Sequence, residues 1–338
     1  MNVMVSTLLP WLKFAFCIIL IGFAGPALIR NGDIIARITG LSRSWIGLVL
    51  LATATSLPEL FTGISAVTAA DTPNIAVGDA LGSCVFNLLM LVLLDELTRD
   101  EPMYRRIDQG HILTAGFGVI LIGSVGAFLL LGHNGASFQL LHVSGYTPFI
   151  IVIYLVAMRA TFVYEHRAKQ PDASKAETNI TLRVAAVRYA GAAGVIVVAG
   201  AWLPFVGQEL AEVTGWKTTF VGTLLIAGAT SVPELVVTVS ALRLGAVDMA
   251  IGNLLGSNLF DILILAADDI AYTKGPLLGA VSSAHAITAF AAVIMSGIFI
   301  VAMLYKPETR VRGVIGWVSL ALLLVYLFSS YAVYLQGH

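Results

Sequence analysis

Glu59 and Glu234 each follow a Thr-Ser pair and a proline inside an otherwise apolar run. The two phrases are Gly47–Leu60, GLVLLATATSLPEL, and Gly222–Leu235, GTLLIAGATSVPEL, identical at nine of fourteen positions. In each, the proline ring removes a backbone donor and clashes with the carbonyl four residues back, at Ala54 or Ala229. The chain is therefore predicted to kink or unwind beside each Thr-Ser pair, which frees carbonyl oxygens. At membrane depth such carbonyls are tolerated only inside protein or along a wet cavity. Add the hydroxyls of Thr55, Ser56, Thr230 and Ser231 to the two carboxylates, and the grouping is made of oxygen alone. Oxygen ligands suit hard cations such as calcium, magnesium and sodium, whereas softer metals favour thiolate or imidazole.

A second repeated phrase faces the first. Gly78–Leu89 reads GDALGSCVFNLL and Gly252–Leu263 reads GNLLGSNLFDIL, identical at six of twelve positions. Both contain G-x-x-x-G, which lets helix backbones approach closely. Asp79, Ser83 and Asn87 are spaced by four and so share one helix face, as do Asn253, Ser257 and Asp261. With Glu59, Glu234 and Asp261 ionised, the group carries three negative charges and no neighbouring Lys or Arg in these phrases. A buried anionic cluster of this kind must hold cations or protons. One divalent ion nearly neutralises it and three monovalent ions do so fully; competition between such loads is the physical basis of antiport.

Plainer accounts cover parts of the pattern. Proline is common in membrane helices, and Ser or Thr can bond back to the preceding turn. One glutamate alone could be a packed, protonated side chain. Two glutamates in duplicated frames, opposed by polar helix faces, favour ion handling. Asp95, Glu96, Asp268 and Asp269 lie at predicted helix ends and read as solvated caps. His111 and His285 read as packing or interface residues, and the aromatic-rich last helix as lipid-facing.

The elements that must position these residues are membrane helices. Of 338 residues, 58% are hydrophobic and 12% charged, against about 25% charged in soluble domains. The expected class is an all-α integral membrane protein in contact with a lipid bilayer. The net charge of −1 implies no nucleic acid, and nothing implies a protein partner. Cys17 and Cys84 fall in apolar runs, which argues against a disulfide framework. The first span reads as a retained helix and not a signal peptide.

At about 20 apolar residues per crossing, ten spans can be drawn: 8–29, 45–69, 74–97, 109–131, 145–165, 183–206, 219–243, 248–270, 280–304 and 313–335. A polar linker at 166–182 divides the chain into five-helix halves, 1–165 and 183–338. Sixteen of the nineteen Lys and Arg residues then fall on one side, leaving only Lys13, Lys217 and Lys274 on the other. The rich side should be cytoplasmic, with both termini outside a cell (inner) membrane. The repeated phrases sit on spans 2 and 7, an odd offset, so the two copies run in opposite directions across the membrane. The halves, with repeats at 45–97 and 219–270, should be related by a two-fold axis in the membrane plane, as in many secondary transporters.

With ATSLPEL and GSCVFN in one half and ATSVPEL and GSNLFD in the other, the chain resembles the cation/calcium antiporter superfamily, most closely its sodium/calcium exchangers. The resemblance spans nearly the whole chain. It implies ten helices in inverted repeats, with helices 1 and 6 sliding across a fixed ion-binding core. It implies calcium ligands at Glu59 and Glu234, with backbone carbonyls of Thr55 and Thr230. Flanking sodium sites would use Ser56, Ser83, Ser231 and Ser257 with the carbonyls of Ala52 and Ala227, and Asn87 and Asp261 would form an asymmetric pair between them. Calcium and sodium would be cargo, and no cofactor is implied. The chain departs from the family at Ala54 and Ala229, where glycine is usual, and at Asp79 and Cys84, where asparagine is usual. Asp79 and the altered glycines leave a calcium/proton or other cation/proton exchanger as the alternative. A passive cation channel, or a membrane scaffold with a vestigial site, is a different class; an inverted repeat around a central site argues for alternating access over a pore. No nucleophile–base constellation or nucleotide-binding loop argues for an enzyme.

Overall fold

The computed structural model describes residues 3–39, 52–98, 103–133, 139–168, 180–243, 247–307, 310–311 and 315–336. Its elements are helices, with two two-stranded hairpins. An apolar chain in hydrocarbon must pair its backbone groups internally, and the helix does this within one segment. The first half comprises α1 (Val3–Thr39), α2 (Ala52–Thr55), α3 (Leu57–Thr68), α4 (Pro73–Leu97), α5 (Met103–Arg106), α6 (Gly110–His133) and α7 (Tyr146–Ala168). The hairpin β1 (Gln139–Leu140) and β2 (Val143–Ser144) precedes α7. The second half comprises α8 (Leu182–Thr214), α9 (Thr218–Phe220), a π-helical stretch Val221–Ile226, α10 (Ala227–Thr230), α11 (Val232–Arg243), α12 (Val247–Ala271), α13 (Leu277–Ala280), α14 (His285–Tyr305) and α15 (Trp317–Gln336). The hairpin β3 (Arg310–Val311) and β4 (Ile315–Gly316) precedes α15.

Among the described residues, eight helices are long and apolar enough to cross a membrane. The count is nine if Thr218–Thr230 and Val232–Arg243, bent by 42° at their junction, form one span. The span drawn at 45–69 falls partly outside the described residues; its described part is α2 and α3. Most of the linker drawn at 166–182 also lies outside them, although α7 continues to Ala168. Apolar side chains face outward all round, Phe23 at 81% and Phe328 at 72% exposed, as lipid contact requires. The protein is a multi-pass membrane protein.

The helices α1 and α8 are longer than drawn from hydropathy. Their 37 and 33 residues span about 55 and 50 Å at 1.5 Å per residue, against about 30 Å of hydrocarbon, so they must tilt or project. They pack along each other, and a Lys13–Glu209 ion pair at 2.6 Å joins them near one face. Helix α8 is bounded by caps: Thr181 accepts from the Val184 amide, and Gly215 closes the end with φ 73°. Trp11 meets Trp216 edge-on at 6.3 Å, and Lys217 donates to the Gln336 carbonyl at 3.5 Å. Helices α1 and α15 therefore both reach the junction between α8 and α9.

The centre is built by α4 and α12, each of 25 residues, packed against each other. Their spans are 78% and 83% buried, against 28% for α1. The G-x-x-x-G face at Gly78 and Gly82 lies against the backbone of Thr223 in the π-helical stretch, where a β-carbon would collide. Close approach was the sequence expectation, and small residues are what permit it.

Aromatic residues of α15 are less uniformly lipid-facing than expected. Phe328 and Tyr331 are exposed, but Tyr326 packs on Phe86 and Tyr334 on Phe220.

Candidate functional site

Each proline phrase breaks as predicted. The helix α2 ends at Thr55, Ser56 turns at φ −86° and ψ 14°, and α3 restarts with Pro58 in its first turn. In the second half α10 ends at Thr230, Ser231 turns at φ −76° and ψ 7°, and α11 restarts at Val232. Proline costs nothing in a helix's first turn, where the missing donor has no partner anyway. Each break thus places Thr and Ser at the end of one short helix and the glutamate in the first turn of the next.

The long helices make room for these breaks with glycine. A β-carbon on Gly200 of α8 would lie 2.9 Å from the Pro58 carbonyl, and one on Gly25 of α1 would lie 3.2 Å from the Pro233 ring. Thr62 and Ser65 of α3 also donate to the Gly200 and Ala201 carbonyls, at 3.1 and 2.6 Å.

The candidate side chains meet across the halves. Glu234 Oε1 accepts from Ser257 and from Ser56, both at 3.3 Å. Glu59 Oε1 accepts from Ser83 at 3.5 Å, and Ser83 in turn accepts from Ser231 at 3.2 Å. Thr55 and Ser257 share a hydroxyl contact at 3.4 Å. Each glutamate therefore takes a hydroxyl from its own half and is linked to a serine of the other. Between them, Asn87 donates to Asn258 at 3.0 Å and to Asp261 at 3.5 Å. The Cys84 thiol points at Asp261 at 3.9 Å, and Asn258 donates to the Cys84 carbonyl at 3.3 Å.

All these side chains are buried, Glu59 at 2% and Glu234 at 1% exposed. Glu59 Oε2, Glu234 Oε2, Asp261 Oδ1 and Asp79 Oδ2 have no hydrogen-bond partner among the described residues. None of the ion pairs among the described residues reaches them. Buried polar oxygens are ordinarily paired, so four unsatisfied carboxylate oxygens around one centre call for a positively charged guest.

Two of the anticipated donors are engaged by the fold. The Ala52 carbonyl accepts the Ser56 amide at 3.0 Å and the Thr55 hydroxyl at 3.1 Å. The Ala227 carbonyl accepts the Ser231 amide at 3.0 Å and the Thr230 hydroxyl at 3.2 Å. Thr230 also donates to Asp79 at 2.8 Å, a contact without a counterpart at the equivalent Thr55 and Asn253. Among the described residues no three His, Cys, Asp or Glu side chains close together as a metal site.

The acids at the helix ends correct the sequence expectation of solvated caps. Asp95, Asp268 and Asp269 are buried, and Glu96 is half-buried. Asp269 accepts from the Ser144 amide and hydroxyl, the Tyr146 and Thr147 hydroxyls and the Leu277 amide, at 2.5 to 3.0 Å. Asp95 accepts from Ser319 at 2.6 Å. These two acids tie the ends of α12 and α4 to the starts of α7 and α15. The clue available in the sequence was their matching place in the two repeats. His285 is buried and meets Asn74 at 3.2 Å, and His111 meets Asp248 at 3.2 Å, consistent with packing roles.

Three comparisons bear on this geometry. The family model described as "Sodium/calcium exchanger protein" matches residues 9–164 and 184–335. The chain is 25% identical over 264 residues to the inner membrane protein YrbG of Escherichia coli, covering 77% of this chain and 79% of that one. It is 27% identical over 281 residues to the sodium/calcium exchanger MaX1 of Methanosarcina acetivorans, covering 72% and 78%. The fold matches a solved structure of the sodium-calcium exchanger NCX_Mj with a TM-score of 0.62 at 22% identity, over 96% of this chain and 98% of that one.

Proposed function

This chain belongs to the sodium/calcium exchanger protein family, and we propose that it is a secondary antiporter that moves calcium across the membrane in exchange for sodium. The observation that carries the proposal is the buried, cross-linked oxygen centre at Glu59 and Glu234 with its unsatisfied carboxylate oxygens. Such a centre favours a hard cation as guest and rejects an empty, fully charged state.

In this proposal Glu59 and Glu234 bind calcium, with Thr55 and Thr230 contributing from the helix breaks. Ser56, Ser231, Ser83 and Ser257, with Ala52 and Ala227, serve the flanking sodium ions. Asn87 and Asp261 lie between the flanking sites. The Ala52 and Ala227 carbonyls would have to share their existing hydrogen bonds with sodium.

The proposed architecture is ten helices in two inverted five-helix halves. It is supported by paired element lengths, matched breaks at Ser56 and Ser231, and a hairpin before each of α7 and α15. Residues 1–165 and 183–338 form the halves and 166–182 the cytoplasmic linker, with both termini extracytoplasmic in the cell (inner) membrane. The glycine contacts of α1 and α8 with the proline breaks suit movement of these helices across the centre.

Asp79, hydrogen-bonded to Thr230 within this centre, is the one observation favouring a second reading, cation/proton exchange. Purified protein in liposomes separates the two. With voltage clamped by ionophore, calcium uptake should follow an outward sodium gradient and not a proton gradient. Uptake driven by protons alone would overturn sodium coupling, and downhill flux needing no counter-ion would assign a channel.

A further inference from the structure

The two sides of this centre, toward the two faces of the protein, differ in a way the repeats do not require. On the face marked by the Asp71–Lys274 ion pair (2.6 Å), α3 ends, α4 begins and α12 ends. Between that face and Glu59 lies Asp268, 0% exposed, with neither carboxylate oxygen partnered among the described residues. Its carboxylate lies against Gly63, one turn beyond Glu59 on α3, so closely that a β-carbon there would collide with it. Asp79, one turn from Ser83 toward the same face, adds a second buried carboxylate with one unpartnered oxygen.

At the equivalent places toward the opposite face the second repeat has Asn253 for Asp79 and Thr238 for Gly63, and the first has Leu94 for Asp268. At these three positions the side toward the Asp71–Lys274 face carries two acids and the opposite side none. A buried carboxylate lacking every partner is costly unless something positive visits it.

We propose that Asp268, open against Gly63 and assisted by Asp79, is an accessory cation station between the Asp71–Lys274 face and the Glu59–Glu234 centre. It takes the same class of hard cation as the centre, and in this respect the inference rests on the proposed function. Glycine at position 63 leaves the carboxylate its space; any larger residue would fill it. With no hydroxyl bonded to Asp268, whereas serine hydroxyls reach both glutamates of the centre, the station holds its ion loosely and serves passage, not retention. A fixed negative charge along a low-dielectric route raises the local cation concentration and the rate of loading.

The test is calcium binding by titration calorimetry on purified, detergent-solubilised protein, with monodispersity checked by size exclusion. Wild type should show a tight class of site and a weaker one. Glu59→Gln should keep only the weaker class. Asp268→Asn should keep only the tight class, and in proteoliposomes should lower exchange at limiting calcium by about tenfold with little change in maximal rate. Gly63→Ala, which leaves every charge in place and displaces the carboxylate, should reproduce Asp268→Asn. If Asp268→Asn and Gly63→Ala both bind and transport as wild type does, the station is refuted. If Asp268→Asn abolishes both classes in monodisperse protein, the residue belongs to the centre and a separate station is refuted. Absence of all calcium binding in wild type would instead refute the proposed function.

Discussion

Replacing Glu234 by glutamine removes one negative charge from the centre and almost nothing else. The side chain keeps its volume, and its amide oxygen can still accept from Ser56 and Ser257, which now reach Oε1 at 3.3 Å. At an effective dielectric of about 20, unit charges about 4 Å apart attract by about 4 kcal/mol, and a divalent ion doubles this to about 8 kcal/mol. Desolvation offsets part of that, and breaking a buried charge pair costs about 3–5 kcal/mol in practice. At about 1.4 kcal/mol per tenfold, calcium affinity should fall by about two to nearly four orders of magnitude. The folded protein should not suffer, because Glu234 Oε2 has no partner to lose. The assay is thermal unfolding with and without calcium. At a concentration 100 times its Kd, calcium stabilises wild type by about 2.7 kcal/mol, while the variant at the same concentration should gain about 0.4 kcal/mol or less. The melting temperature without calcium should be unchanged or raised. A calcium-induced shift equal to wild type, retained exchange, or collapse of the calcium-free variant would each refute Glu234 as a calcium ligand.

Two further outcomes test the frame around the centre. Gly200→Ala should destabilise by about 1–3 kcal/mol and slow exchange, since its β-carbon would lie 2.9 Å from the Pro58 carbonyl. Gly116→Ala, with nothing within 4 Å, should change stability by no more than about 0.5 kcal/mol; equal effects of the two on denaturation midpoints would refute the contact's importance. Asp269→Asn sets an amide donor among five hydrogen-bond donors. It should cost more than about 3 kcal/mol while leaving calcium affinity unchanged in the folded fraction, which denaturation and titration together would show.

The chemistry of the centre was legible in the sequence because proline, hydroxyl and carboxylate are each conspicuous in an apolar run. Their repetition made the pattern specific. The break beside Ser56 and Ser231 followed from the proline ring alone, and the approach at Gly78 and Gly82 from the lack of side chains. The cross-links were not legible: that Ser56 donates to Glu234 depends on how α2 and α11 meet, which no local rule states. Asp268 and Asp269 were misread because a carboxylate at a helix end is ordinarily in water. The donors that bury Asp269 come from three separate elements, Ser144 of the hairpin, Tyr146 and Thr147 at the start of α7, and the Leu277 amide of α13. The π-helical stretch at Val221–Ile226 likewise has no local sign, since what it meets is the distant backbone of α4 at Gly78 and Gly82.

The approach of α1 and α15 to one junction has a consequence for how the protein can be rewired. Trp11 touches Trp216, and the Gln336 carbonyl is reached by Lys217, so the first and last helices finish beside the same junction. A circular permutant that links α15 back to α1 and opens the chain between Ala168 and Ile180 should fold with the α1–α8 and α4–α12 packing retained. The order in which the ribosome delivers the two halves is therefore separable from the structure they form.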